Sequence, residues 1–161
     1  MSVVVSDTTC ITHLISVGQL ELLQQVFGSI TIPSAVNNEL RHVHVNRTIL
    51  DSTDWIRVLS PRNRILVQQL LLSIDLGESE AIALSLELNA SRLIIDEQRG
   101  RTAAVQLGQA VTGTLGVILL AKKQGHLKAI RPIIVDLLSS GFRLSRALVN
   151  KVLLATGEVK L

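Results

Sequence analysis

Two acidic residues stand where apolar runs of the sequence end, a position that folding alone explains poorly. Asp7 comes shortly after the run Val3-Val4-Val5, and Asp96 comes directly after Leu93-Ile94-Ile95. A charge beside a hydrophobic core is costly unless something pairs with it. Two such acids in one small protein suggest a shared site, and converging carboxylates are typical ligands of a metal ion.

Four neighbouring acids add candidates and alternatives to this pair. Glu39 follows the second apolar run by a short helical stretch and would overhang the same sheet edge. Glu78 and Glu80 lie in the first turn of a predicted helix, where the helix dipole favours carboxylates. Two positions apart on a helix, they cannot both face one site. Asp96 and Glu97 are likewise alternatives for one site position, because Asp96 ends a predicted strand and Glu97 starts the next predicted helix.

Several of these acids also have a purely structural explanation. Asp7 could cap the helix that follows it, and Asp75 could cap the helix that starts two residues later. Asp96 could form a local ion pair with Arg99, which would stabilise little if exposed. The sequence leaves these alternatives open.

An oxygen-rich set of ligands favours Mg²⁺ or Mn²⁺, hard cations that prefer carboxylates and keep several waters. The sequence has no Cys or His residues at the spacing of a zinc site, because His42 and His44 have no further Cys or His ligands nearby in the sequence. Gly113-Thr114-Leu115-Gly116 lacks the lysine of a phosphate-binding loop. Cys10 has no evident base that would make it a nucleophile.

Short apolar runs alternate with helical periodicity, which predicts an α/β fold with a parallel sheet covered by helices on both faces. Ligands of such sheets bind beyond the carboxyl ends of the strands, where Asp7 and Asp96 would lie. The predicted strands are 3–5, 29–32, 55–59 as an edge strand, 92–95 and 110–112. The predicted helices are 11–26, 33–40, the middle of 42–54, 64–74, 77–88, 97–107, 114–124, 127–139 and 145–155.

The composition fits a single domain over residues 1–161 with enough apolar material for a core. Hydrophobic residues make up 47% of the chain, yet no apolar run approaches the roughly 20 residues of a membrane span. No basic stretch precedes Val3 as in a signal peptide, and one cysteine fits a reducing cytoplasm. The net charge of +3 permits an anionic partner, whereas 2% aromatic residues leave little for base stacking.

Taken in order and spacing, segments along nearly the whole chain resemble the PIN-domain nucleases, most closely those of the DUF3368 type. Each segment alone is weak evidence, but together they are fairly specific. The segments are Val4-Val5-Ser6-Asp7-Thr8-Thr9, Ile32-Pro33-Ser34-Ala35-Val36 with Glu39, Gly77-Glu78-Ser79-Glu80-Ala81-Ile82-Ala83-Leu84, Leu93-Ile94-Ile95-Asp96-Glu97-Gln98-Arg99-Gly100-Arg101, Gly113-Thr114-Leu115-Gly116-Val117, and the tail from Gly141 to Glu158.

The resemblance implies a three-layer α/β/α sandwich with a central parallel sheet and metal-dependent cleavage of RNA phosphodiester bonds. Many relatives, including the VapC type, are toxins of toxin–antitoxin pairs that a small partner protein silences. The family's acids fall on Asp7, Glu39, Glu80 or Glu78, and Asp96 or Glu97; the first-named of each are the expected catalytic and metal-binding residues. Many relatives have Asp at the third position, so the longer Glu alters the expected metal geometry.

Other residues of these segments are expected to contact the substrate. Thr8 or Thr9 could hydrogen-bond a phosphate or a ligand water, and Arg99 or Arg101 could contact the RNA backbone. Homodimers are common in the family and fit the apolar surplus. The alternative function is that of a catalytically degenerate PIN-like protein that binds protein or RNA through its basic clusters.

Overall fold

The computed structural model describes residues 2–161, in which five parallel strands form a single sheet. The strands are β1 (Val4–Ser6), β2 (Ile30–Pro33), β3 (Ile56–Leu59), β4 (Arg92–Ile94) and β5 (Val111–Thr112), in the spatial order β3-β2-β1-β4-β5. Val5 at the centre of β1 is in register with Thr31 on one side and Leu93 on the other. The expected edge position of the third strand is confirmed.

Helices connect the strands and cover both faces of the sheet, so the predicted α/β/α sandwich with a central parallel sheet is confirmed. Each parallel connection needs a crossover, and here every crossover contains helix. The helices are α1 (Thr8–Ser16), α2 (Glu21–Phe27), α3 (Ser34–Arg41), α4 (His44–Asp51), α5 (Arg64–Leu70), α6 (Leu76–Glu87), α7 (Gln98–Gln106), α8 (Thr114–Lys123), α9 (Arg131–Ser139) and α10 (Arg146–Ala155).

The prediction of one helix over 11–26 is wrong. The chain forms α1 and α2 with a turn between them, where Gly18 has a φ of +68°. The amide of Gly18 donates to the carbonyl of Ile15, which closes the turn. A left-handed residue cannot continue an α-helix, and glycine adopts that conformation without steric penalty.

Two further helices are shorter than the periodicity predicts. The helix expected over 64–74 ends at Leu70, and the one expected over 127–139 begins only at Arg131. Pro132 lies in the first turn of α9, where its missing N–H costs least. Apolar periodicity continues beyond both helices because the flanking turns also pack against the core.

The sheet separates two hydrophobic clusters, as alternate residues of each strand point to opposite faces. Val4 and Ile94 belong to the cluster beneath α1 and α3, whereas Val5 and Leu93 belong to the one beneath α6. A third cluster is built by α2 with α8, α9 and α10. Within residues 2–161, every helix is too short or too polar to cross a membrane.

The C-terminal segment is fastened to α9 by the carboxylate of Glu158. Its Oε1 accepts from the backbone amides of Ile130 and Arg131 at 3.0 Å each, and its Oε2 lies 2.7 Å from Nζ of Lys122. Although partial burial acts in the opposite direction, these hydrogen bonds lower the pKa of Glu158 to about 2. The carboxylate thus caps a helix N-terminus from a distant part of the chain.

Replacing Glu158 with Gln should therefore destabilise the protein by about 1–2 kcal/mol at neutral pH, because charge-assisted hydrogen bonds are lost. A carboxylate whose folded pKa is depressed stabilises above its unfolded pKa and loses that effect as the pH falls towards the folded pKa. The gap between wild type and Glu158→Gln should accordingly narrow between pH 4.5 and about 2. Urea unfolding of both proteins across this range measures the gap, and a constant gap would contradict the prediction.

Candidate active site

Asp7 directly follows the central strand β1, at the carboxyl edge of the sheet. Its amide donates to the carbonyl of Ile94 at 2.9 Å, which extends the pairing of β1 with β4 and fixes the backbone. It occupies the N-cap position of α1, but its carboxylate makes no capping hydrogen bond. Capping therefore does not account for an acid that is only 4% exposed.

The pKa of Asp7 is raised to about 7. Burial is the largest cause and the backbone amide of Thr8 acts against it, while the negative charges of Asp75, Glu39 and Asp96 raise it further. Carboxylates from three other segments of the chain thus act on one buried acid. This is the convergence of charge that the strand-end positions of Asp7 and Asp96 predict.

Glu39 reaches the site from α3. Its Oε2 accepts a hydrogen bond of 2.6 Å from Oγ1 of Thr8, the first residue of α1. Its Oε1 lies close against the backbone of Gly77 at the start of α6. The side chain is thereby placed between the N-terminal ends of two helices, beside Asp7.

Glu78, in the first turn of α6, is the second buried acid of the cluster. It is 7% exposed, and its amide donates to Oδ1 of Asp75, which confirms Asp75 as the N-cap of this helix. The pKa of Glu78 is raised to about 8, first by burial, then by the charges of Asp75 and Asp7, with Glu97 adding less. Glu78 therefore belongs to the same electrostatic group as Asp7.

Glu80, the expected third ligand, is engaged elsewhere. Its Oε1 accepts from the amide of Ala35 at 2.9 Å, and its Oε2 pairs with Nη1 of Arg64 at 2.7 Å. These contacts join α6 to the start of α3 and to α5. Of the two glutamates that the sequence left open, the structure brings Glu78 and not Glu80 to Asp7, as expected for positions about 200° apart around a helix.

Asp96 follows β4 and is held by the first residue of α8. Its Oδ1 accepts from the amide of Thr114 at 2.8 Å, and its Oδ2 from the Thr114 hydroxyl at 2.5 Å. The ion pair with Arg99 that the sequence allowed is not formed in the described structure. Asp96 is thus fixed at the site by a threonine rather than neutralised by an arginine.

The remaining predicted residues surround the acids. Exposed Glu97 and Arg99 line a groove of about 530 Å³ with Asp75, Glu78 and Leu71 to Ile74. Arg101 is half-buried, and its Nη1 donates to the carbonyl of Ile95 at 2.9 Å, directly before Asp96. Thr9 lies half-buried in the first turn of α1, beside the Thr8 that contacts Glu39.

The chemistry of this donor set fits a hard divalent cation, since the groups are carboxylates at the carboxyl edge of a parallel sheet. A nearby cation would favour the charged forms of Asp7 and Glu78, whose pKa values are raised by burial and by neighbouring carboxylates. Over residues 2–161, however, no three His, Cys, Asp or Glu side chains lie close enough together to hold a metal ion. Asp96 and Glu39 are oriented instead by Thr114 and Thr8.

Two residues of the site were not recognised as such from the sequence. The sequence indicates only a helix cap at Asp75, whereas in the structure its charge raises the pKa values of both Asp7 and Glu78. No motif marks Thr114 as a site residue, yet it donates hydrogen bonds to both oxygens of Asp96. Their positions in the sequence could have identified them, because each stands at the start of a helix and the starts of these helices lie at the same edge of the sheet.

The family comparison agrees with this fold. A family model described as a PIN domain, DUF3368, matches residues 3–158 of the chain. The match covers nearly the whole sequence, so the chain belongs to the PIN-domain family. PIN domains are in general nucleases, and they typically use divalent metal ions. None of the curated proteins compared with the chain matches it.

The placement of Glu80 predicts that its removal affects stability first. Replacing Glu80 with Gln retains an acceptor for Ala35 but loses the charge pairing with Arg64, at a cost of about 1–2 kcal/mol. For a protein of this size, that lowers the melting temperature by roughly 3–6 °C. Thermal unfolding in EDTA measures the shift, and a melting temperature within 1 °C of wild type would contradict this placement.

The raised pKa values predict that the acids destabilise the metal-free protein at alkaline pH. Asp7 and Glu78 hold protons up to about pH 7 and 8, well above their ordinary pKa values of 3.8 and 4.5. The folded state therefore binds more protons in this window, so these groups lower the free energy of unfolding as the pH rises through it.

An Asp7→Asn variant lacks one of these ionisations. In EDTA its stability advantage over wild type should be at least about 1 kcal/mol larger at pH 8.5 than at pH 5, because folded Asp7 ionises only near pH 7. Urea unfolding at both pH values gives the comparison. Equal stability differences at the two pH values would show that Asp7 is not destabilised by ionisation.

Proposed function

We propose that this protein is an Mg²⁺- or Mn²⁺-dependent nuclease that hydrolyses RNA phosphodiester bonds, with Asp7, Glu39, Glu78 and Asp96 as its metal-binding acids. The observation that carries the proposal is the pair of buried acids, Asp7 and Glu78, at the carboxyl edge of the sheet beside an open groove. Folding alone does not account for two buried carboxyls whose pKa values are both raised by burial and by the charge of Asp75. Glu80 is assigned to packing because Arg64 and Ala35 occupy both its oxygens.

When bound, a divalent cation would supply an activated water molecule and stabilise the charge that develops on the phosphate. The residues of this chain form the groove that would bind the substrate and orient the acids that would bind the cation. Glu78 and Asp75 form one wall of the groove, and Arg99 contributes a positive charge to the same groove. Thr8 and Thr114 orient Glu39 and Asp96. Half-buried Thr9 and Arg101 are candidate phosphate contacts.

RNA as the substrate is supported by the family and by the charge distribution. The net charge of +3 and the exposed Arg62, Arg99 and Lys123 favour a polyanion, whereas Arg64 and Lys122 are paired with Glu80 and Glu158. Attraction to the phosphate backbone is independent of base sequence. With aromatic residues at 2%, stacking on aromatic rings contributes little to binding.

The competing proposal is a catalytically inactive PIN domain that binds RNA or protein. The observation in its favour is that no three metal-ligating side chains within residues 2–161 lie within reach of one ion. In that case the acids would bind cations weakly and the basic clusters would provide the function. Thermal stability against Mn²⁺ concentration separates the two, because a ligand that binds only the native state raises the melting temperature.

A role as the toxin of a toxin–antitoxin pair, a small antitoxin partner, a homodimer and a cytoplasmic location are proposals that rest on the family resemblance and composition alone. Induced expression with and without a candidate partner protein tests the first two. Growth arrest that the partner relieves would support them, and unaffected growth would count against a toxin role.

The nuclease proposal is tested with purified protein and a labelled single-stranded RNA of mixed sequence. Wild type should cleave with Mn²⁺ or Mg²⁺ and not with EDTA. Asp7→Asn and Glu78→Gln should each lose on the order of 100-fold or more of the rate, because each removes a charge expected at the cation. Glu80→Gln and the exposed Asp136→Asn serve as matched controls that should retain activity.

Each alternative result has a definite meaning. Equal cleavage by wild type and Asp7→Asn would overturn the site. Loss in Glu80→Gln with retention in Glu78→Gln would reverse the assignment of the third acid. No cleavage by wild type, together with no rise in melting temperature at millimolar Mn²⁺, would favour the binding module.

A further inference from the structure

Two glycines at the site lie directly against carboxylates. A Cβ atom built on Gly77 would lie 2.5 Å from Oε1 of Glu39. A Cβ atom built on Gly113 would lie 2.6 Å from Oδ1 of Asp96 and 3.1 Å from Nη1 of Arg101. At both positions the nearest atom is an oxygen of a proposed metal-binding acid, from a different segment of the chain.

Backbone conformation does not require glycine at either position. Neither residue has a φ in the left-handed region, so an alanine would fit the local backbone. At Gly77, in the first turn of α6, alanine is also the better helix former by up to about 1 kcal/mol. What these two positions require is the space that a Cβ atom would fill.

We infer that Gly77 and Gly113 are positioning residues that set the locations of the Glu39 and Asp96 carboxylates for cation binding; the inference rests on the proposed nuclease function. Without a Cβ atom at these two positions, each carboxylate can lie against a helix N-terminus, where the local dipole favours negative charge. The two glycines act on the two acids that threonines also orient. Each of these acids is thus held by a hydroxyl on one side and lies against a glycine on the other.

Gly100 differs and shows why the inference is limited to two residues. A Cβ atom there would first meet Cδ1 of Ile95 at 2.5 Å and only then Oε2 of Glu78 at 3.0 Å. Its first role is therefore packing against the core. Gly116 lies in α8 near the site, and a Cβ atom on it would meet the Thr112 hydroxyl rather than an acid.

The two positions differ in how their acids can respond to an added methyl group. Glu39 is exposed and held by one hydrogen bond, so in Gly77→Ala its flexible end can move without disturbing the core. Asp96 is short and held by two hydrogen bonds from Thr114, so in Gly113→Ala one of them must be broken. Gly77→Ala is therefore the cleaner test.

The experiment compares wild type, Gly77→Ala and the control Gly116→Ala. In EDTA, Gly77→Ala should melt at or above the wild-type temperature. Its affinity for Mn²⁺, measured by calorimetric titration, should fall at least tenfold while Gly116→Ala stays within twofold of wild type. A crystal structure of Gly77→Ala should place the Glu39 carboxylate at least 1 Å from its wild-type position.

A double-mutant cycle with Glu39→Asp tests whether Gly77 acts through Glu39. The shorter side chain withdraws the carboxylate from Gly77, so adding Gly77→Ala to Glu39→Asp should change Mn²⁺ affinity by less than twofold. A tenfold loss in both backgrounds, or an equal loss in Gly116→Ala, would show a general packing effect and overturn the inference.

The failure of this inference is distinguishable from that of the proposed function. If wild type binds Mn²⁺ and cleaves RNA while Gly77→Ala binds Mn²⁺ equally well, only the positioning role falls. If wild type neither binds Mn²⁺ nor cleaves, the proposed function falls and the positioning role for a cation falls with it. Loss of affinity in Gly77→Ala with an unmoved Glu39 carboxylate also overturns the inference.

Discussion

Repulsion among carboxylates at one edge of a parallel sheet is the constraint to which the rest of this structure is adjusted. Asp7 and Glu78 are both buried, and neighbouring carboxylates raise the pKa of each: Asp75, Glu39 and Asp96 act on Asp7, and Asp75 and Asp7 act on Glu78. Burial of like charges opposes folding, so their energy must be offset elsewhere. Burial of the hydrophobic clusters on the two faces of the sheet offsets this unfavourable free energy. The acids therefore remain buried at the carboxyl ends of the strands.

Glu78 and Glu80 lie in the same turn of α6, but only Glu78 belongs to the candidate site. Glu78 faces Asp7, while Glu80, two positions on, is neutralised by Arg64 and by the amide of Ala35. The second contact fixes the start of α3, the helix that carries Glu39. A buried acid outside the site thus helps to place an acid within it, and both follow from the 100° rotation per residue.

Small residues around the edge refine the positions of the acids. Thr8 and Thr114, each the first residue of a helix after a strand, donate to Glu39 and Asp96. Parallel strands bring the starts of successive helices to the same edge, so residues far apart in sequence become neighbours. The PIN-domain fold therefore supplies both the acids and the groups that orient them from a few strand-to-helix junctions.

The sequence by itself determined the fold class, all five strands to within one residue at each end, and the candidate acids at the strand ends, because these depend on local hydrophobicity and periodicity. It could not locate the turn at Gly18 or the late start of α9, since the flanking residues are apolar for tertiary reasons. It also left Glu78 and Glu80 undecided. Only the tertiary structure decided between them, because the choice depends on Arg64, Ala35 and Asp7, which no local pattern brings together.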